Sequence, residues 1–142
     1  MRILGLDIGD KRIGVAVSDH MGWTAQGLQT IENTGKSAVH AKLQTIIDEY
    51  KPDKIIIGLP LNMNGSEGYR AEAVKRFGQA LESIYSGEIV YWDEGLTTVS
   101  AHRVMIDGGV RREKRKKKVD QIAAILILQS YLDFYNNTRK EG

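Results

Sequence analysis

The segment Lys54-Ile55-Ile56-Ile57-Gly58-Leu59 constrains the fold more than any other stretch of this chain. It is a near-continuous apolar run of strand length. Such runs are strands buried on both faces, the signature of a parallel sheet. A parallel strand needs a long crossover before it, usually helical. The chain supplies one: Val39, Leu43, Ile46, Ile47 and Tyr50 recur at helical spacing, predicting an amphipathic helix over Ser37–Tyr50 that Pro52 stops. The same pattern repeats. Val74, Phe77, Leu81 and Ile84 predict a second helix over Ser66–Tyr85, and Glu88–Trp92 follows as the next strand.

Upstream, Arg2–Ile8 and Ile13–Ser18 alternate at period two around the turn Gly9-Asp10-Lys11-Arg12, so they pair as a hairpin. Gln26–Glu32 is the third strand. Downstream, a short helix over Thr98–Asp107 ends at Gly108-Gly109, the basic segment 111–118 reads as a loop, and a mostly buried helix covers Val119–Tyr135. The order is β-β-β-α-β-α-β-α-α. It predicts an α/β protein with a five-stranded mixed sheet, three antiparallel strands followed by two parallel ones, and helices on both faces. The 142 residues suit a single domain over 1–142, with no internal repeat and no linker.

Cysteine is absent, which excludes a disulfide framework and thiolate zinc sites. His20, His40 and His102 are scattered without metal-ligand spacing. No signal peptide or membrane-length apolar run is visible, so the expected compartment is the cytoplasm. The net charge is +2, but residues 111–118 (Arg-Arg-Glu-Lys-Arg-Lys-Lys-Lys) carry +6 and leave −4 on the rest. Basic residues focused this way suit phosphate contact without sequence preference, here by Arg111, Arg112, Lys114, Arg115, Lys116, Lys117 and Lys118. A solvated charge run is the plain alternative. Lys11, Arg12 and Asn62 are further candidates for phosphate contact, each with an equally good role in a turn.

Ligands of open α/β sheets bind outside the carboxyl ends of the parallel strands. Asp7 lies near that end of the first strand, and Glu94 follows the fifth. An acid within Leu4-Gly5-Leu6-Asp7-Ile8 costs free energy unless something compensates it. Taken singly, Asp7 could cap a loop amide or pair with Lys11 or Arg12. Asp120 could simply favour the first turn of its helix. Brought together, Asp7, Glu94 and Asp120 would repel one another unless a cation lay between them, and an all-oxygen site suits Mg²⁺ or Mn²⁺, one or two ions.

Four ordered motifs resemble one family. Asp7-Ile8-Gly9-Asp10-Lys11-Arg12-Ile13-Gly14-Val15-Ala16-Val17-Ser18-Asp19, Gly58-Leu59-Pro60-Leu61-Asn62-Met63-Asn64-Gly65, Asp93-Glu94-Gly95-Leu96-Thr97-Thr98 and the run Asp120–Gln129 look like the bacterial YqgF/RuvX family over essentially the whole chain. The resemblance implies a ribonuclease H-like fold and a nuclease that processes the 5′ end of pre-16S ribosomal RNA. It implies Asp7, Glu94 and Asp120 as catalytic acids. Members were first described as Holliday-junction resolvases. The family usually has an arginine after the motif glutamate, where this chain has Gly95; Arg103, Arg111 or Arg112 are the candidates to replace it. Two other functions stay open at this point. One is a resolvase of branched DNA, which would act as a homodimer rather than a monomer. The other is a non-catalytic nucleic-acid-binding module.

Overall fold

The computed structural model describes residues 1–93 and 112–141, with side chains of the last segment described for 121–137. Five strands, β1 (Ile3–Ile8), β2 (Arg12–Ser18), β3 (Ala25–Glu32), β4 (Lys54–Leu59) and β5 (Glu88–Asp93), form one sheet in the order β3-β2-β1-β4-β5. β2 runs antiparallel to β1 and to β3, whereas β4 runs parallel to β1 and to β5. This is the predicted mixed sheet. The helices are α1 (Lys36–Tyr50), α2 (Tyr69–Leu81) and α3 (Arg112–Glu141).

Period-two alternation sends each strand's side chains to two different cores. Leu4, Leu6, Ile13, Val15, Val17, Ile55 and Ile57 join Val39, Leu43 and Ile46 of α1 and Ala71, Val74 and Leu81 of α2 on one face. Ile3, Ala16 and Ile56 join Ala124, Ile127, Leu128, Tyr131 and Leu132 of α3 on the other. Ile55, Ile56 and Ile57 are all fully buried, as the unbroken apolar run requires.

Element ends differ from the sequence expectations where side chains compete with the helix. α2 starts at Tyr69 rather than Ser66. The Asn64 carboxamide oxygen accepts from the Ser66 backbone N–H (3.0 Å) and hydroxyl (2.6 Å), and a Leu61–Glu67 bridge closes the loop. Gly65 turns the chain there at φ 83°. α2 also stops at Leu81 rather than Tyr85. The next residues wind tightly and seat Tyr85, whose hydroxyl donates to the Pro52 carbonyl (2.9 Å). Burial, with Asp53 and Glu88 nearby, pushes that phenol up to about 12.

The larger correction concerns the basic segment. Expected as a loop before a helix over Val119–Tyr135, it is helical from Arg112, and α3 continues to Glu141. Lys, Arg and Glu are good helix formers, and no Gly or Pro interrupts residues 110–141. The predicted helix over Thr98–Asp107 lies outside the described residues.

Candidate nucleic-acid cleavage site

Asp7 falls on the α3 face of β1, two residues beyond Gly5 and half-buried. Its antiparallel neighbour is Gly14, which in turn pairs with Thr30. On the parallel side the last rung is Leu6 with Ile57, so the next residues along the two strands are Asp7 and Gly58. The carboxylate therefore stands between two strands that present glycine, not a side chain, at its level.

A second row of small residues lies one step below. Gly27, Ala16 and Gly5 are register partners across β3, β2 and β1. Their size lets α3 settle against the sheet backbone. A Cβ on Gly5 would stand 2.8 Å from Leu128 Cβ and 3.4 Å from the Ala124 carbonyl oxygen, and one on Gly27 would strike the Gln121 side chain.

Amide side chains of α3 set its direction. The Gln121 Nε2 donates to the Leu28 carbonyl (3.4 Å). The Gln129 side chain accepts from the Ala25 N–H (2.9 Å) and donates to the Trp23 carbonyl (2.9 Å), and Asn136 Nδ2 donates to the Gly22 carbonyl (3.0 Å). Partner numbers fall as α3 numbers rise, so α3 runs antiparallel to β3 and hence to β1. Its first turns point to the carboxyl end of β1. From Gly5 to Asp7 the strand advances about 6.6 Å. From Ala124 back to Asp120 the helix rises about 6 Å the same way. The register thus brings the helical turn of Asp120 level with Asp7. Lys116 and Lys117 lie one helical turn ahead of Asp120 along α3.

The remaining sequence candidates fall as follows. Glu94 and Arg111 lie outside the described residues, as does Gly95. β5 ends at Asp93, exposed and paired with Leu59. Arg112, Lys114, Arg115, Lys116, Lys117 and Lys118 all belong to the opening turns of α3. Lys11 is exposed on the β1–β2 turn, and Arg12 begins β2. Asn62 is exposed, but its amide donates to Ser66 Oγ (3.1 Å), so it holds its own loop. Among the described residues no three acids or histidines gather as a metal site, the trio having only the Asp7 side chain among them.

Sequence reasoning missed two kinds of residue. The carboxamides Gln121, Gln129 and Asn136 stitch α3 to β3 and its approach. Asn33 clasps the β1–β2 turn, donating from Nδ2 to the Gly9 carbonyl (3.0 Å) and from its backbone N–H to the Lys11 carbonyl (2.8 Å). Gly9 is required inside that turn, because a Cβ there would lie 2.6 Å from the Arg12 carbonyl oxygen.

The sheet order, the parallel strand ends and the helix laid across β1 define a ribonuclease H-like protein. Two solved structures share the fold: Thermus thermophilus RuvC in complex with a Holliday junction substrate (TM-score 0.59, 15% identity, 97% of each chain) and the fowlpox virus resolvase with Holliday junction DNA (TM-score 0.62, 15% identity, 95% of this chain and 99% of that one). The model of the RuvX family, described as Holliday junction resolvase, matches residues 1–134, and the chain belongs to that family. Its relatives include proteins of Clostridium tetani (54% identical over 96% of this chain and 99% of theirs) and of a Geobacillus species (53%, 94% and 98%), each described as a candidate pre-16S rRNA nuclease.

Proposed function

We propose that this chain is a metal-dependent nuclease that hydrolyses phosphodiester bonds in the precursor of 16S ribosomal RNA, with Asp7, Glu94 and Asp120 as metal-binding and catalytic acids. The observation that carries it is Asp7, a half-buried acid at the carboxyl end of β1 flanked by Gly14, with the turn of α3 that holds Asp120 in register above it. The descriptions of the family's relatives support that substrate.

The residues suit Mg²⁺ or Mn²⁺, one ion or two, because carboxylate oxygens are the donors and no thiol is present in the chain. Held by these acids, such an ion would supply Lewis-acid polarisation of the phosphoryl oxygens and of an attacking water. The protein's own share is positional. Asp7 is held by a central strand paired on both edges. The glycines beside it leave room for a phosphate to approach. Arg112, Lys114, Arg115, Lys116, Lys117 and Lys118, with Arg111 before them, neutralise the backbone of the RNA next to Asp120. Lys11 and Arg12, on the turn after Asp7, and Asn62 on the neighbouring loop extend this surface. No helix among the described residues is long and apolar enough to cross a membrane. A role in rRNA processing favours the cytoplasm as the compartment.

Purified protein should cleave a pre-16S 5′ leader in Mg²⁺ and lose that activity with Asp7→Asn, by two orders of magnitude or more, while its circular dichroism stays unchanged. Activity that survives Asp7→Asn would place the chemistry elsewhere. A branched-DNA substrate in the same assay tests the resolvase alternative suggested by the family description, which also requires a dimer in solution.

A further inference from the structure

Helical spacing turns Ala71, Val74 and Leu81 of α2 into the core, and this leaves Tyr69 and Arg70 facing out at its first turn. Tyr69 is 80% exposed. One exposed ring needs no explanation. What lies at its foot does.

Tyr69 and Arg70 line a small pocket with Ile8, Gly9, Asp10 and Asn33. Its floor is apolar, from Ile8, Val74 and Phe77, and its rim is polar. The volume is about 160 Å³, well below the roughly 300–1,000 Å³ of sites for drug-sized ligands. Arg70 and Asp10 meet across the mouth only loosely, at 3.9 Å, with side chains 61% and 94% exposed. A donor and an acceptor therefore stand at the rim of an apolar slot, beside an aromatic face open to solvent. Those groups suit a single planar heteroaromatic ring with polar edges.

The position of the pocket supplies the occupant. Ile8, in its floor, follows Asp7 directly, so the pocket and the Asp7 carboxylate lie on opposite faces of the same strand end, separated by the turn Gly9-Asp10-Lys11. Lys11 and Arg70, against the single acid Asp10, leave that crossing with a net positive charge.

Resting on the nuclease reading above, we propose that this pocket is a nucleotide subsite: an unpaired base next to the cleaved phosphate stacks on Tyr69, with its polar edge at Arg70 and Asp10. Single-stranded RNA is recognised by such stacking of splayed bases on aromatic side chains. The subsite would direct the nuclease to single-stranded positions in a folded precursor.

The test uses the full chain carrying Asp7→Asn, so that RNA stays whole, and a short single-stranded oligoribonucleotide containing 2-aminopurine. Binding should quench the fluorophore by stacking. Tyr69→Phe should keep the quench. Tyr69→Ala should abolish it and weaken binding about tenfold, while leaving affinity for fully paired RNA unchanged. Tyr69→Ala that retains quench and affinity overturns the subsite, as does an equal loss for paired RNA. Cleavage is read separately on the chain with Asp7 intact. A chain inactive in that assay that still shows Tyr69-dependent quenching overturns the nuclease and not the subsite.

Discussion

At the residue scale, Asp7 and Gly5 share one face of β1 and do opposite things. Asp7 brings a charge to a strand end, and Gly5 removes a side chain so that α3 can approach. The acid was legible in the sequence, because a charge inside an apolar strand calls for a partner. The glycine was not, because what a Cβ would strike belongs to a helix more than a hundred residues later. Gly5→Ala should destabilise the protein by about 1–3 kcal/mol, since Leu128 Cβ cannot swing away as a flexible tip could. Urea denaturation checks this, and an unchanged midpoint would mean that α3 has slack against the sheet. Gly27→Ala should cost less, because the atoms it meets belong to the long side chain of Gln121.

At the element scale, α3 carries the main revision of the sequence expectations. A run of like charges has no hydrophobic period, so it reads as a loop when periodicity is the only guide. Its intrinsic propensity, with no Gly or Pro, points the other way, and a long buried helix downstream gives it a nucleus to extend. The consequence bears on the proposed function. A helical basic segment runs directly into the turn that holds Asp120. Lys116→Gln with Lys117→Gln should preserve helicity, since Gln and Lys rank alike in propensity. The pair should lower the slope of log K against log salt for RNA binding by roughly 0.7–0.9 per lost phosphate contact. A slope that does not move would assign those lysines to solvent.

At the scale of the whole molecule, the proposed site lies where the parallel strand end of β1 meets the first turns of a helix crossing the opposite way. Binding of Mg²⁺ or Mn²⁺ there should link to folding. A saturating ion, at about a hundred times its dissociation constant, should stabilise the native chain by about 2.7 kcal/mol. The shift should vanish in Asp7→Asn when thermal unfolding is followed with and without metal, and an equal shift in both proteins would put the ion elsewhere. The sequence by itself determined the order of strands and the two-faced burial of Ile55–Ile57, and it singled out Asp7 as a candidate, because hydrophobic period and misplaced charge are local properties. Only the tertiary structure decided how α3 lies. Its direction rests on Gln121, Gln129 and Asn136 reaching backbone carbonyls and an N–H of β3 and its approach, and its depth on the small row Gly27, Ala16 and Gly5. Such contacts join residues with no relation in sequence, so no local pattern reports them. They bring the turn of Asp120 level with Asp7.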